Sequence, residues 1–224
     1  MFVKTVEIQN VRNMKDLTGQ KFGESIQKNK NKMNKTKLPN ISTKGGDNGE
    51  TSLWSGDRVS KNHPAIKCVC ELDLFDSAIG LIYSKLNDSI THLEIADSLD
   101  KIQSRLVYLK GEIATHPREW DKFRKKFKPI TDVDVDYIDK ACQNFKEALE
   151  GQGYEIKGWI RYGEEGDISA IIDYCRGLCR KSEIEIYELD DALIHSKISE
   201  PIKKYMNRLS DYLFWIARFL RKVS

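Results

Sequence analysis

The sequence of 224 residues lacks any apolar run near the roughly 20 residues that a membrane-spanning helix needs. Its first residues also lack the basic region and the long apolar region of a secretory signal. Hydrophobic residues make up 40% of the chain and charged residues 32%, which is typical of water-soluble globular proteins. We therefore expect a cytoplasmic protein that has no membrane as a partner.

Cysteine is present, but not in the arrangements that form cross-links or zinc sites. The chain has five cysteines, an odd number, and its closest pair is Cys68-x-Cys70 rather than C-x-x-C. His63 lies near this pair, but no second pair of ligands has a suitable spacing for zinc. We expect free thiols in a reducing cytosol and no metal site built from protein side chains alone.

The motifs of several enzyme classes are also missing. Neither the P-loop pattern G-x-x-x-x-G-K-[ST] nor the dinucleotide pattern G-x-G-x-x-G occurs. No Ser/His/Asp or Cys/His constellation indicates a nucleophilic side chain. These absences argue against a P-loop enzyme, a Rossmann enzyme and a triad hydrolase.

Charge is nearly balanced overall but is unevenly distributed. The chain has 37 Lys/Arg and 34 Asp/Glu, yet residues 1–40 alone carry nine Lys/Arg against three Asp/Glu. The remainder is therefore weakly acidic, which disfavours a nucleic-acid partner. Residues 21–40 are rich in Lys and Asn and poor in apolar side chains, so we expect 1–40 to form a basic, flexible extension.

From Pro64 onward, apolar residues recur at helical spacing. The pattern predicts five amphipathic helices, at about 64–86, 91–114, 132–149, 167 to beyond 183, and 200–223. Asp167 is expected to be the N-cap of the fourth helix. No segment has a convincing strand pattern. The sequence therefore predicts an all-α five-helix bundle that forms one domain over about residues 41–224.

A loop rich in Gly, Ser, Thr and Asp, residues 41–61, precedes the first helix. Its glycines allow backbone N–H groups to converge on an anion. Lys44 and Lys61 can neutralise phosphate charge, and Thr51 and Ser52 can donate hydrogen bonds to phosphate oxygens. The residues alone fit a phosphate-binding loop and a flexible linker equally well.

Polar residues also recur on single faces of the last two helices. On the fourth helix, spacings of three, four and three separate Asp173, Arg176, Arg180 and Glu183. Two arginines in line can clamp a triphosphate, although a solvated face with local ion pairs has the same pattern. On the fifth helix, the polar face comprises Asn207, Asp211, Phe214 and Arg218. Asn207 and Asp211 are one turn apart and can contact the same ligand.

Six segments, in the same order, resemble motifs of the PduO-type cobalamin adenosyltransferases. Residues 43–53 resemble T-K-x-G-D-x-G-x-T-S-L, and residues 56–64 continue that motif. Residues 71–77 resemble E-V-D-E-L-N-S, and residues 102–106 with 111–115 resemble the second helix of the family. Residues 176–183 resemble R-x-x-x-R-R-A-E-R, and residues 206–214 resemble L-N-R-L-S-D-x-L-F.

This resemblance implies a five-helix bundle that assembles as a homotrimer with active sites between subunits. It implies that the 5′-deoxyadenosyl group of ATP is transferred to the cobalt of cob(I)alamin, giving adenosylcobalamin and triphosphate. ATP and cobalamin would be the substrates, and Mg²⁺ would be held by the ATP phosphates. The implied partners are a reductase and an adenosylcobalamin-dependent enzyme.

The resemblance also implies roles for individual residues. The implied ATP ligands are Thr43, Lys44, Gly45, Gly46, Thr51, Ser52, Lys61, Arg180, Lys181, Glu183 and Asn207. The implied corrinoid ligands are Asp73, Arg176, Asp211 and Trp159. Asp73 would pair with Arg176 across the subunit interface, and these two would act with Arg180 in catalysis.

The chain departs from the family pattern at three places. The family motif F-x-x-P-G-G is replaced by residues 159–166, where Trp159, Ile160 and Tyr162 are alternatives for the aromatic or apolar group that displaces the lower axial ligand of cobalt. Ile184 and Lys181 stand where the family has arginines. These departures keep open two alternatives: a non-catalytic paralogue that binds ATP or adenosylcobalamin for storage or delivery, and an assembly scaffold.

Overall fold

A computed structural model describes residues 42, 44–86 and 90–221. The predicted basic extension, residues 1–40, and the predicted nucleotide ligand Thr43 lie outside these described residues. The chain divides into two compact units, Met1–Glu50 and Thr51–Ser224. Every helix that the structure describes belongs to the second unit. The domain boundary predicted near residue 41 stays a prediction.

The described elements comprise two short strands, six α-helices and one 3-10 turn. The strands, β1 (Glu50–Ser52) and β2 (Arg58–Ser60), form a two-stranded sheet. The helices are α1 (Pro64–Tyr83), α2 (Ile90–Ile113), α3 (Trp120–Lys126), α4 (Asp132–Gly151), α5 (Asp167–Ala192) and α6 (Glu200–Phe219), with the 3-10 turn at Pro117–Glu119.

The predicted all-α class is confirmed, whereas two local features differ from the prediction. The described residues contain a sixth helix, α3, whose seven residues are too few to show a helical period in the sequence. They also contain the β1–β2 pair, which is too short to show strand alternation. The predicted N-cap Asp167 is instead the first residue of α5, and Gly166 is the N-cap with φ 100°.

Side-by-side packing places α5 at the centre of the bundle. α5 packs against α1 on one side and α6 on the other, while α2 packs outside α1 and α4 packs outside α6. Their apolar faces form one core, in which Leu72, Phe75, Ile172, Ile202 and Leu209 are fully buried. Each helix therefore buries one stripe of its amphipathic pattern, as the periodicity requires.

The five cysteines are free thiols, as the sequence predicts. Cys68, Cys175 and Cys179 are buried in the core. Burial raises the pKa of Cys175 to about 12, and burial likewise raises the pKa of the half-buried Cys142 to about 12. These thiols therefore remain protonated at neutral pH, where they act as small apolar groups. No helix among the described residues combines the length and the apolar character needed to cross a membrane.

A buried carboxylate organises the turn between α5 and α6. Asp190 Oδ1 accepts a hydrogen bond of 2.6 Å from the Ile198 N–H, and Asp190 Oδ2 lies 3.1 Å from Lys203 Nζ. Burial alone would raise the pKa of the Asp190 carboxyl, but the Ile198 N–H and the Lys203 ammonium lower it below its usual value. Lys203 also contacts Glu200, at 2.7 Å. Together these contacts fix the path by which the chain reverses into α6.

Replacing Asp190 by Ala should lower the free energy of unfolding by about 2–4 kcal/mol, because it leaves the buried Ile198 N–H without an acceptor and the nearly buried Lys203 ammonium with Glu200 alone. Since the folded-state pKa is depressed, this contribution is complete at neutral pH and is lost as acid protonates the carboxylate. Urea denaturation at pH 7 and pH 3 measures both effects. The matched control is Asp191→Ala at the neighbouring exposed carboxylate, which should change stability by less than about 0.5 kcal/mol. Equal effects of the two variants would contradict the assignment.

Candidate functional site

The residues predicted to bind phosphate fall into two sets that the structure describes separately. Lys44, Gly45 and Gly46 belong to the first unit. There, Lys44 has a left-handed backbone with φ 57°, and its carbonyl accepts a hydrogen bond of 3.3 Å from the Asp47 N–H. The Gly46 carbonyl accepts a similar bond from the Gly49 N–H. This segment is therefore a tight turn that contains two adjacent glycines.

The second set lies at the β1–β2 pair. Thr51 and Ser52 are half-buried on β1, and Ser52 Oγ accepts a hydrogen bond of 3.3 Å from Arg58. Lys61 follows β2 and is exposed, so its ammonium is accessible to an anion.

An aromatic cluster holds this pair of strands against the bundle. The backbone N–H of Trp54 donates a 2.7 Å hydrogen bond to the Ala114 carbonyl. The Trp54 and Phe123 rings pack edge-to-face, with their centroids 5.2 Å apart. The helix α3, which the sequence did not reveal, thus supports the segment that carries Thr51 and Ser52.

Two carboxylate contacts add to this support. The hydrogen bond from Ser55 lowers the pKa of Asp57 below its usual value, and Arg118 pairs with the same carboxylate. The His116 N–H donates to Ser55 Oγ at 3.2 Å. The turn after β1 is therefore tied to the segment that follows α2.

Glu183 and Asn207, predicted to act together, are in direct contact. Asn207 Nδ2 donates to Glu183 Oε1 at 3.2 Å across the seam between α5 and α6, and Arg208 donates to Asn207 Oδ1 at 2.8 Å. Arg180, one turn before Glu183, is exposed and forms no hydrogen bond or ion pair with the residues that the structure describes. The seam thus presents a guanidinium that is available to an anion from outside the chain.

Lys181 is committed to a contact within the chain. Its Nζ lies 2.8 Å from Glu71 Oε1, which links α5 to α1, and this hydrogen bond raises the pKa of Lys181. The other oxygen of Glu71 is buried and has no hydrogen-bond partner among the described residues. Lys181 therefore stays charged. It can bind a ligand only if its ammonium contacts the ligand and Glu71 together, or if its ion pair with Glu71 breaks.

The predicted pair Asp73 and Arg176 is not formed within the chain. Lys110 Nζ lies 2.8 Å from Asp73 Oδ1 and 2.7 Å from Asp76 Oδ2. Burial alone would lower the pKa of Lys110, but its bonds to Asp73 and Asp76 raise it above the usual value. The Asp73 side chain remains 61% exposed, so this carboxylate can still accept from a second donor. Pairing with Arg176 of another subunit stays a prediction.

Arg176 is half-buried and incompletely satisfied. Its guanidinium lies 5.6 Å from the centre of the Phe214 ring, a stacking distance, whereas its Nε is buried without a hydrogen-bond partner among the described residues. A buried donor in this state costs about 1–3 kcal/mol, so an acceptor that reached it would be stabilised. Asp211, one turn after Asn207, is exposed and lies 3.8 Å from Arg208 Nη1. Both residues thus border the α5–α6 seam.

The segment that replaces the F-x-x-P-G-G motif lies between α4 and α5. Trp159 is fully exposed, at 101% of its reference area, and Tyr162 is 68% exposed. Ile160 is half-buried. Of the three alternatives, Trp159 offers the largest apolar surface to an incoming ligand.

The structure corrects the sequence interpretation of Asp173 and Arg218. Spacing placed Asp173 on the face of Arg180, but Asp173 is buried and pairs with Arg218, which is only 1% exposed. Arg218 also contacts Ser169 Oγ at 3.0 Å and Glu165 Oε2 at 2.5 Å. The sequence contains a signal for this cluster, because Glu165, Ser169 and Asp173 recur every four residues.

Two cavities border the bundle, and neither includes the residues of the α5–α6 seam. A wide, open one of about 590 Å³ is lined by Lys85, Asp167, Ile168, Ala170 and Ile171. A second, of about 310 Å³, has apolar walls and three histidines, His63, His116 and His195. Burial, together with the neighbouring His116, lowers the pKa of His63. Arg180 and Asn207 are exposed and Glu183 is half-buried, and none of the three lines either cavity.

Comparison with known proteins identifies what the chain is similar to. The model of the family described as cobalamin adenosyltransferase matches residues 41–220. The human corrinoid adenosyltransferase MMAB is 30% identical over 188 residues, which cover 82% of this chain and 69% of that protein. A cobalamin adenosyltransferase from Cupriavidus metallidurans is 29% identical over 189 residues, which cover 84% of this chain and 91% of that protein.

A solved structure agrees with these relatives. It is a variant of the PduO-type ATP:corrinoid adenosyltransferase from Lactobacillus reuteri, complexed with cobalamin and ATP. It superposes with a TM-score of 0.68 at 26% identity, covering 80% of this chain and 92% of that one.

The exposure of Trp159 can be tested by acrylamide quenching of tryptophan fluorescence. The chain has four tryptophans, and Trp159 is fully exposed whereas Trp120 is 6% exposed. Trp159→Phe should lower the average quenching constant, because it removes the most accessible fluorophore. Trp120→Phe, the matched control, should raise that average. A Trp159→Phe variant that is quenched as strongly as the unaltered chain would show that the residue is shielded.

Proposed function

We propose that this chain, which belongs to the cobalamin adenosyltransferase family, transfers the 5′-deoxyadenosyl group of ATP to the cobalt of cob(I)alamin. The observation that carries the proposal is the family match over residues 41–220, joined to a structural neighbour that binds both cobalamin and ATP. The nucleophile is the cobalt of the substrate. A Co–C bond forms to C5′ as the bond from C5′ to the triphosphate oxygen breaks, and triphosphate leaves.

The protein's task in this reaction is to position two substrates and to stabilise a highly charged leaving group. A nucleophilic side chain is unnecessary, which suits a sequence without a catalytic triad. Arg180 is the best-placed cation for the triphosphate, because it is exposed and has no partner among the described residues. Glu183 and Asn207, already in contact, would hold the nucleotide beside it.

The residues of the loop are further proposed ligands of the nucleotide. Lys44, Gly45 and Gly46 would contribute a turn in which backbone N–H groups can face an anion, and Thr51, Ser52 and Lys61 would contribute hydroxyl and ammonium donors. Mg²⁺ would arrive bound to the ATP phosphates, whose oxygens are the hard ligands it prefers. It would neutralise part of the charge that develops on the leaving group.

The corrinoid would be held from the opposite side of the reacting carbon. Asp73, Arg176 and Asp211 would border that region. The buried Nε of Arg176, which has no hydrogen-bond partner among the described residues, supports a role in donating to a group from outside the chain. Trp159 would supply the apolar group beneath the cobalt. A reductase that delivers Co(I) and an adenosylcobalamin-dependent enzyme remain the proposed partners, and the cytoplasm remains the proposed location.

A homotrimer with sites between subunits is part of this proposal. Large apolar side chains are exposed on α1 and α5, two helices packed side by side: Leu74, Leu81, Tyr174, Ile184 and Tyr187. Such a surface is typical of a protein interface. Asp73 and Arg180 lie on the same two helices, so a second subunit covering this face would enclose the open seam.

Purified protein given ATP, Mg²⁺ and chemically reduced cobalamin should form adenosylcobalamin, measured by its visible spectrum. Arg180→Met should lower kcat/KM for ATP by about 10²- to 10³-fold, since it removes a donor from the leaving group. Lys140→Met, which removes an exposed cation from α4, should leave the rate unchanged. Binding of adenosylcobalamin without any turnover would favour the non-catalytic alternative instead.

The assembly can be tested with one substitution in the proposed interface. Ile184→Glu places a charge in the apolar face and should convert the trimer into monomers, as measured by sedimentation. Val133→Glu, at a 76% exposed position on α4, is the matched control and should remain trimeric. An unaltered chain that sediments as a monomer at micromolar concentration would refute the trimer.

A further inference from the structure

The loop that carries Trp159 has its two ends joined by a hydrogen bond. Tyr154 lies just after α4, and Glu165 lies just before α5. The Tyr154 hydroxyl donates to Glu165 Oε1 at 2.8 Å, closing residues 155–164 into a ring. Burial and this hydrogen bond raise the pKa of Tyr154 to about 12, so the hydroxyl keeps its proton and remains a donor throughout the neutral range.

One end of this loop is also fixed to α6, and the other contacts Arg221, which lies just after α6. Glu165 Oε2 lies 2.5 Å from Arg218 Nε, and the buried Arg218 is held in turn by Ser169 and Asp173 of α5. The guanidinium of Arg221 lies 4.4 Å from the centre of the Tyr154 ring, which is close cation–π contact. The base of the loop is therefore held at two points, at one end by the buried Arg218 and at the other by the half-buried Arg221.

The middle of the loop has none of this support among the described residues. Its ion pairs are local and exposed, Glu155 with Lys157 and Arg161 with Glu164. Two glycines with positive φ, Gly158 at 81° and Gly163 at 95°, flank the four residues 159–162. A Cβ at either glycine would meet nothing within 4 Å, so glycine is required there by the backbone conformation and not by crowding.

The geometry points to Tyr154, Glu165 and Arg218 as positioning residues, which clamp the base of the loop so that only residues 159–162 turn about Gly158 and Gly163 to bring Trp159 to the corrinoid. This inference rests on the proposed function. The clamp residue Glu165 lies two residues before Asp167, which lines the open cavity at the start of α5. It therefore fixes where the loop enters the bundle beside that cavity, while the tip stays free to close.

The test removes the clamp without touching the tip. Tyr154→Phe deletes one hydroxyl and keeps the ring beside Arg221, and Glu165→Gln keeps the shape while removing the charge that faces Arg218. Both variants should raise KM for the corrinoid by about 3- to 10-fold, the loss expected for one hydrogen bond, and leave KM for ATP unchanged. When either variant is given ATP and Co(II)alamin, the fraction of four-coordinate cobalt, measured from its spectrum, should be lower than in the unaltered chain.

A matched control and an independent readout separate positioning from general loss of structure. Glu164→Gln alters the adjacent exposed carboxylate, which pairs only with Arg161 among the described residues, and should match the unaltered chain. Amide exchange should accelerate at residues 153–155 and 164–167 in the clamp variants while the cores of α5 and α6 remain protected.

The outcomes distinguish this inference from the proposed function. An unaltered chain that forms no adenosylcobalamin refutes the proposed function. An active chain whose Tyr154→Phe and Glu165→Gln variants retain the original corrinoid KM and four-coordinate fraction refutes the clamp. Equal increases in the KM values for ATP and corrinoid would also refute it, because they would indicate a structural defect and not a specific defect in corrinoid binding.

Discussion

The buried guanidinium of Arg218 joins parts of the chain that are far apart in sequence. It sits on α6 and reaches the Asp173 carboxylate on α5 and the Glu165 carboxylate just before α5. A charge this deeply buried is tolerated only when it is paired and hydrogen-bonded, so the three groups constrain one another. The packing of α5 on α6, the entry point of the interhelical loop and the alignment of the seam all depend on this arrangement.

The polar side chains along the seam between α5 and α6 are the ones that the core does not bury. Arg180, Glu183 and Asn207 lie on the edges of the two helices that Arg218 locks together. The core therefore sets their spacing, and the hydrogen bond between Asn207 and Glu183 adds to it. Yet they line neither of the two cavities described above, and Arg176 Nε is left without an acceptor among the described residues. Under the proposed assembly these residues would form half of a binding surface, and the large apolar side chains exposed on α1 and α5 support that proposal.

The periodic part of the fold could be predicted from the sequence, and the aperiodic part could not. The long helices were visible because apolar residues recur over many turns, but α3 has only seven residues and β1 only three. Spacing showed that Asp173 and Arg180 are near one helical face, yet it could not show that the packing of α6 buries the first and leaves the second exposed. The partner of Asp73 was likewise hidden, because Lys110 comes from a different helix.

In a loop with a fixed base and a free tip, selection for ligand binding and selection for stability act on different residues. Under the proposed function, substitutions at residues 159–162 would change corrinoid binding but few contacts of the core. Substitutions at Tyr154, Glu165 or Arg218 would change both corrinoid binding and the core. The tip can therefore diverge in evolution while the bundle stays the same. In this chain, residues 159–166 differ from the F-x-x-P-G-G motif that the family resemblance predicts there. The same property makes the tip a natural place to graft altered sequences for other corrinoids.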